Sequence, residues 1–148
     1  PALTALVIPN FSLGSALATR FAELAAPYFE SIEIVEAHHA GKTDSPSGTA
    51  IRTAELIAAA RAEIGPVAAP HADQRARGQQ VASVPVHSMR MSGVSARQEV
   101  VLGGAGETVR IVHETLSDES YEPGILLALR AATSTTGLVV GLGALLGL

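Results

Sequence analysis

The chain has 148 residues, 47% of them hydrophobic, 16% charged and 3% aromatic, with a formal net charge of -4 and no cysteine. That length suits one domain burying roughly two thirds of its unfolded surface, and the composition excludes a disordered segment or a solvated helical rod. Scarce aromatics and an acidic balance argue against a base-stacking platform or a phosphate-backbone binder, so no nucleic-acid partner is expected; the missing cysteines rule out disulfides and thiolate chemistry and suit a cytoplasmic protein.

Leu3 to Ile8 is a short apolar run closed by Pro9-Asn10, the pattern of a buried strand handing the chain to a loop. Pro1 stands where an initiator Met would be, and the strand pattern begins at once, so the chain is expected to continue a longer protein. Ser12 is placed to cap a helix over Leu13 to Phe29, in which Leu17, Phe21, Leu24 and Phe29 recur at near-helical spacing and Pro27 distorts the end. Ser31 to Glu36 alternates polar and apolar residues and predicts a half-buried strand that ends on the pair His38-His39. A second helix runs from Ala50 to about Glu63, with Ile51, Ala54, Leu56, Ile57 and Ala60 as its packed face and Gly65-Pro66 as its stop.

Val67 to Gln80 has no strong period and reads as an exposed loop. Val84 to Met91, Ser95 to Leu102 and Glu107 to Glu114 carry period-two stretches, with Gly103-Gly104-Ala105-Gly106 as the hairpin turn between the last two. A final helix, about Tyr121 to Ala132, is apolar at Ile125, Leu126 and Leu129. Gly137 to Leu148 is the longest apolar run; it is shorter than the roughly 20 residues of a bilayer span, so it reads as a buried terminal segment and no membrane partner is expected. The order predicts an α+β fold, a mixed and largely antiparallel sheet with helices packed on one face. Alternating Val, Met and Leu in the late strands would leave the other sheet face apolar, to be used for oligomerisation.

The chemistry concentrates where the second strand meets the second helix. His38 and His39 are adjacent groups able to change charge near neutral pH, and on a strand they point to opposite faces, so one of them enters a cleft. Lys42 follows in the same loop, where an ammonium attracts an anionic ligand and suits a histidine that donates a proton. Ser47-Gly48-Thr49 adds backbone N–H groups at a helix N-terminus, an arrangement that takes carboxylate or phosphate oxygens. Together they predict a site for a small, multiply anionic molecule. The competing readings are a surface histidine pair with an ordinary helix cap, and a zinc site drawing on Glu36, His38 and His39. Adjacent histidines do not match helical metal-ligand spacing, so no metal is expected. Asp44 is placed to hold Lys42 or cap the turn before Pro46, and His71, His87 and His113 stand alone as loop or strand residues.

The run from Glu36 through His38, His39, Lys42, Asp44 and Pro46-Ser47-Gly48-Thr49-Ala50 resembles the signature of the dihydrodipicolinate reductase (4-hydroxy-tetrahydrodipicolinate reductase) family of bacterial lysine and diaminopimelate synthesis. Similarity extends upstream through Ile8 to Gly14 and downstream to Arg90, Gly93, Gly106-Glu107, His113 and Gly124, covering nearly the whole chain. The resemblance implies that His38 donates or accepts a proton, that Lys42 is a second proton donor, and that His39, Gly48 and Thr49 hold the carboxylates of a small dicarboxylate substrate. It also implies that Ile8, Pro9, Asn10 and Phe11 contact the nicotinamide end of NADH or NADPH, and that the subunits form a homotetramer. The chain departs from the family pattern at Asp118, often an arginine, at Tyr121, often a phenylalanine, and at Leu102, often an aromatic residue.

No Gly-rich strand-turn-helix for dinucleotide phosphates is present in the sequence. Residues 1–12 are therefore expected to be the end of a missing dinucleotide-binding domain with its hinge, and 13–148 the substrate-binding and oligomerisation domain, its last residues returning toward the missing part. The expected function is that of the substrate-binding, proton-donating half of an NAD(P)H-dependent reductase, inactive by itself. The rival expectation is a non-catalytic, stand-alone ligand-binding or assembly module that keeps the fold.

Overall fold

A computed structural model describes residues 3–148 and resolves two compact units, one formed by Phe21–Thr115, the other by the chain up to Arg20 together with Leu116–Leu148. In chain order the elements are β1 (Thr4–Val7), α1 (Leu13–Ala25), β2 (Ser31–His38), α2 (Gly48–Ala60), β3 (Gln79–Val81), β4 (Val84–Arg90), β5 (Ala96–Gly104), β6 (Glu107–Thr115), α3 (Glu122–Ala131), β7 (Gly137–Val140) and α4 (Leu142–Leu146). Single 3-10 turns lie at Ala26–Tyr28, Arg75–Arg77 and Asp118–Tyr121.

Phe21–Thr115 is built on a five-stranded sheet in the order β3-β4-β2-β5-β6. Only the β2–β4 pair is parallel, so the sheet is mixed and largely antiparallel, as the strand pattern predicted. Period two places Ile32, Ile34, Glu36 and His38 on one face, beside Val86 of β4 and Val100 and Leu102 of β5. On that face Ile32, Ile34, Val84, Val86, Val100 and Leu102 form a single core with Ala50, Ala54 and Ile57 of α2 and with Ala22 and Ala26. Each buried branched aliphatic side chain contributes about 1.5–3 kcal/mol. Leu102, the departure from the family's aromatic, is fully buried within this core.

Helix α1 buries the opposite face from the one its large apolar residues mark. Ser15, Ala22 and the following Ala26 are buried, whereas Leu17, Phe21 and Leu24 are 38–53% exposed. Small side chains let the helix approach its neighbours closely and push the bulky ones outward. Pro27 falls in the 3-10 turn that ends the helix, since proline cannot continue the α-helical hydrogen-bond ladder. At the far end of α2, Arg61 is 6% exposed and donates to the carbonyls of Gly65 (3.1 Å), Ala26 (2.7 Å), Pro66 (3.4 Å) and Phe29. One guanidinium thereby satisfies carbonyls at the ends of two helical segments.

The segment read as loop from Val67 to Gln80 contains the start of an edge strand, β3, joined to β4 by Ala82 and Ser83. Both turn residues have positive φ, 47° and 71°, the geometry of a two-residue hairpin that usually takes Asn or Gly. The second hairpin is tighter than the glycine run suggested: β5 continues to Gly104, which pairs with Glu107, and the turn is Ala105-Gly106 with Gly106 at φ 80°.

The open face of the sheet is less apolar than the alternation implied. Val35 and Val101 are half-buried and Met89 and Val112 exposed, but two buried or half-buried carboxylates lie among them. Glu99 accepts from Arg97 (2.6 Å) and Arg110, and Glu33 from Arg77 (2.6 Å) with His87 Nε2 at 2.7 Å. The strands spend their largest aliphatics on the helix-covered face, and the charged residues of the same strands fall outward.

In the other unit β1 and β7 pair in parallel, Thr4 opposite Gly137 through Val7 opposite Val140. The C-terminal run is not a buried segment: Leu138 and Val140 are 67% and 59% exposed, and of its leucines only Leu142 is in the core. Helix α3 also buries small residues, Gly124 and Ala128, and exposes Ile125, Leu126 and Leu129. Among the described residues no helix is long and apolar enough to cross a membrane.

Candidate active site

The site residues of Phe21–Thr115 come from the C-terminal end of β2, the loop after it and the first turn of α2. Met91 N–H donates to the His38 carbonyl (3.1 Å) and His39 N–H to the Ser95 carbonyl (3.3 Å), so the neighbouring strands hold the histidine pair where β2 ends. His38 is turned toward the helix-covered face, with its side chain 19% exposed, and His39 is exposed. Lys42 N–H closes a turn onto the His39 carbonyl (3.1 Å), and the Lys42 ammonium pairs with Asp44 at 2.7 Å. The Lys42 hydrogen bond holds the Asp44 carboxyl below its ordinary pKa. Asp44 is thus a partner of Lys42, and the Ser45-Pro46 bond that follows is cis.

Ser47 caps α2, its hydroxyl accepting from the Ala50 N–H at 3.2 Å while its carbonyl takes the Ile51 N–H at 3.0 Å. The Ser47 N–H itself goes to Glu36 Oε1 (3.1 Å). The N–H groups of Gly48 and Thr49 are left as the open donors of the first turn, since helix geometry offers them no partner within α2. Thr49 uses its carbonyl to take the Thr53 hydroxyl (2.9 Å), and Thr53 Oγ1 accepts from the Gln98 side chain at 3.0 Å.

Glu36 joins these parts, a role that sequence reasoning missed. It is fully buried, and its carboxylate receives both terminal nitrogens of Arg90 (2.8 and 2.9 Å) while Oε2 lies 2.6 Å from His38 Nδ1. Burial acts to raise its pKa, but hydrogen bonds from Arg90, Ser88, His38 and the Ser47 N–H outweigh that, and the carboxyl sits below its ordinary value. Arg90 also donates to the Asp44 carbonyl (2.6 Å), tying the lysine loop to the sheet. The local signal was an acid on the same strand face as Ile32 and Ile34, two residues before His38, where a buried charge demands partners.

The carboxylate thus connects His38 and Arg90 to the start of α2, bringing the proton-transfer candidate and the candidate anion-binding turn onto one group. Ile8, Pro9, Asn10 and Phe11 belong to the other unit. There Ile8 and Phe11 are half-buried and Pro9 exposed, while Asn10 works at the start of α1, accepting from the Ser12 N–H (2.9 Å) and donating to Ser15 Oγ (3.1 Å). Asp118 and Tyr121 bound the 3-10 turn before α3, Asp118 exposed and Tyr121 half-buried.

His87 is not isolated, because Glu33 holds it. His113 is half-buried, and burial lowers its pKa; His71 is exposed in a loop at φ 57°. Among the described residues no three His, Cys, Asp or Glu side chains are grouped to hold a metal ion. An open cavity of about 490 Å³ lies beside the site, lined by Ser45, Pro46, Arg75, His87 and Ser88 rather than by His38 or Lys42. It is a surface hollow of the sheet edge.

Residues 14–146 match the family model described as "Dihydrodipicolinate reductase, C-terminus". The chain is 63% identical over 147 residues to the 4-hydroxy-tetrahydrodipicolinate reductase of Clavibacter michiganensis subsp. michiganensis, covering 99% of this chain and 53% of that protein. It is 53% identical over 146 residues to the reductase of Streptomyces griseus, covering 96% of this chain and 58% of that protein. A solved dihydrodipicolinate reductase from Paenisporosarcina sp. TG-14, described as dipicolinate-bound, superposes with a TM-score of 0.82 at 36% identity, over 96% of this chain and 54% of that one. The chain spans about half the length of the relatives it matches. Sequence and fold together place this chain in the dihydrodipicolinate reductase family, as its C-terminal part.

Proposed function

We propose that this chain supplies the substrate clamp and the proton donors of an NAD(P)H-dependent reductase that converts 4-hydroxy-tetrahydrodipicolinate to tetrahydrodipicolinate in lysine and diaminopimelate biosynthesis, working as a cytoplasmic homotetramer. The observation that carries the reading is the Glu36 carboxylate, which holds the His38 ring on one oxygen and the α2 N-terminus on the other. A ligand whose carboxylate rests on the Gly48 and Thr49 N–H groups then lies beside an imidazole able to give up a proton. The Lys42 ammonium and the exposed His39 ring add a cation and a hydrogen-bonding group beside it, which suits a dicarboxylate. Dipicolinate, found on the Paenisporosarcina reductase, is such a molecule.

When bound, the nicotinamide cofactor supplies the hydride. The Ile8–Phe11 segment fits the ring end of that group and not its phosphates: Ile8, Pro9 and Phe11 are apolar, and the Asn10 amide is spent at the start of α1. Loss of the 4-hydroxyl as water leaves the conjugated imine; once that has accepted hydride, His38 delivers a proton to the carbon that turns basic, and Lys42 serves as the second donor. The open sheet face, with Met89 and Val112 exposed beside the Glu99 and Glu33 ion pairs, is the surface offered to other subunits.

The test is the full-length protein with its cofactor domain. His38→Ala is expected to lower kcat by about 10²–10⁴-fold with the KM for NADH or NADPH within about twofold, and Lys42→Ala to behave alike. Wild-type turnover in His38→Ala would remove the assignment.

A further inference from the structure

We propose that Glu36 is the positioning residue of this site, fixing the His38 imidazole with its proton on Nδ1 and so leaving Nε2 as the atom that exchanges a proton with the substrate. The inference rests on the reading of His38 as proton donor and deepens it.

The direction of the hydrogen bond follows from what surrounds the carboxylate. Oε1 receives the Ser47 N–H (3.1 Å) and Arg90 Nη2 (2.8 Å), and Oε2 receives Arg90 Nη1 (2.9 Å) and faces His38 Nδ1 at 2.6 Å. A backbone N–H and a guanidinium can only donate, so both oxygens accept, and against the cost of burial the paired Arg90 guanidinium with its co-donors keeps the carboxylate ionised. An ionised carboxylate has no proton to give, so the 2.6 Å contact requires that Nδ1 carry the hydrogen. Neutral His38 then presents a lone pair on Nε2, and the imidazolium holds its second, transferable proton there. With Glu36 fully buried, neither water nor rotation readily offers the ring a different partner.

The same carboxylate also sets the spacing between the proton donor and the anion grip, because Ser47 immediately precedes the open N–H groups of Gly48 and Thr49. Arg90 balances the charge, so Glu36 remains an anion whether or not His38 is protonated. The other ionisable groups near this end of the sheet are Lys42, Asp44 and His39 in the following loop and His113 on the helix-covered face of β6, opposite Gln98.

The experiment is nitrogen NMR of the full-length protein with labelled histidine, read at alkaline pH where imidazole rings are neutral, together with steady-state kinetics of Glu36→Gln and Glu36→Asp. The wild-type spectrum is expected to show the Nδ1–H tautomer at His38. Glu36→Gln, whose amide can donate as well as accept, should mix or invert that tautomer and lower kcat by roughly a hundredfold or more, with KM for substrate and cofactor within about threefold. Glu36→Asp keeps the charge but cannot reach His38, Arg90 and Ser47 together, so it should lose kcat to a similar degree. An Nε2–H tautomer in the wild type overturns the proposal even if no variant folds. A folded Glu36→Gln enzyme with kcat within about threefold of wild type overturns it as well. If His38→Ala is inactive while the tautomer is Nε2–H, only the role of Glu36 falls; if His38→Ala is active, the functional reading falls with it.

Discussion

Gly124→Ala should be severely damaging for a single added methyl. Gly124 is buried in the first turn of α3, and a Cβ built there would lie 1.9 Å from the Phe11 carbonyl oxygen, 2.8 Å from its carbon and 3.1 Å from a Leu142 methyl. Real Cβ atoms essentially never approach below 3.0 Å, so the oxygen must retreat by about 1 Å or α3 must shift by as much. Both the obstacle and the intruder are fixed to backbone, so no rotamer change relieves the clash. Overpacking costs about 1–3 kcal/mol where side chains can adjust, and here the upper end, about 3 kcal/mol, is expected. For a chain of this size that lowers Tm by roughly 6–12 °C, measured by calorimetry or circular dichroism. Gly143→Ala in α4 is the control: its Cβ would meet only Leu148 at 3.8 Å, so stability should stay within about 0.5 kcal/mol. Equal melting temperatures for Gly124→Ala and wild type would refute the reasoning. Since Phe11 lies in the segment proposed to meet the nicotinamide, the variant should also raise the cofactor KM of the full-length enzyme more than the substrate KM.

Two further outcomes follow from buried charge. Arg61→Met keeps the aliphatic volume but strands the carbonyls of Ala26 and Phe29, and should cost about 3 kcal/mol or more in urea unfolding, at about 1–3 kcal/mol for each buried acceptor left unpaired. A loss below about 1 kcal/mol would mean that water replaces the guanidinium. Stability should also fall with acid in a defined order. Burial lowers the folded pKa of His113 beneath 6.5, so the unfolded chain binds the extra proton first and a small loss begins below about pH 6.5. Glu33, Glu36 and Glu99 are held below 4.5 by Arg77, Arg90 and Arg97 with their co-donors. Their contribution is complete above about pH 4.5 and is lost as pH drops through their folded values, so a pH series of denaturation midpoints should steepen there. A flat profile from pH 7 to about pH 3 would contradict these pairings.

Much of the fold was legible because the sheet obeys period two and the turns carry glycine, as in the strands around Ala105-Gly106. β3 was not, since its hairpin turns through Ala82 and Ser83, which hold positive φ without the Asn or Gly that announces such a turn. Periodicity also located α1 and α3 but assigned their inner faces by size, whereas Ala22, Gly124 and Ala128 pack inward and Phe21, Leu126 and Leu129 stay outside. At the site, the histidines, Lys42 and the Ser47-Gly48-Thr49 turn are consecutive and could be read together. The bond between Glu36 and Arg90 spans 54 residues and depends on the parallel register of β2 with β4, in which Glu36 stands opposite Ser88 and His38 opposite Arg90, and no local pattern reveals that register.

The most direct test is a crystal structure of the full-length protein with dipicolinate and reduced cofactor. One carboxylate is expected on the Gly48 and Thr49 N–H groups, with His38 Nε2 turned toward the ligand ring and Lys42 released from Asp44 toward the anion. Dipicolinate seated instead in the hollow between Ser45, Arg75 and His87, with the first turn of α2 unengaged, would contradict it.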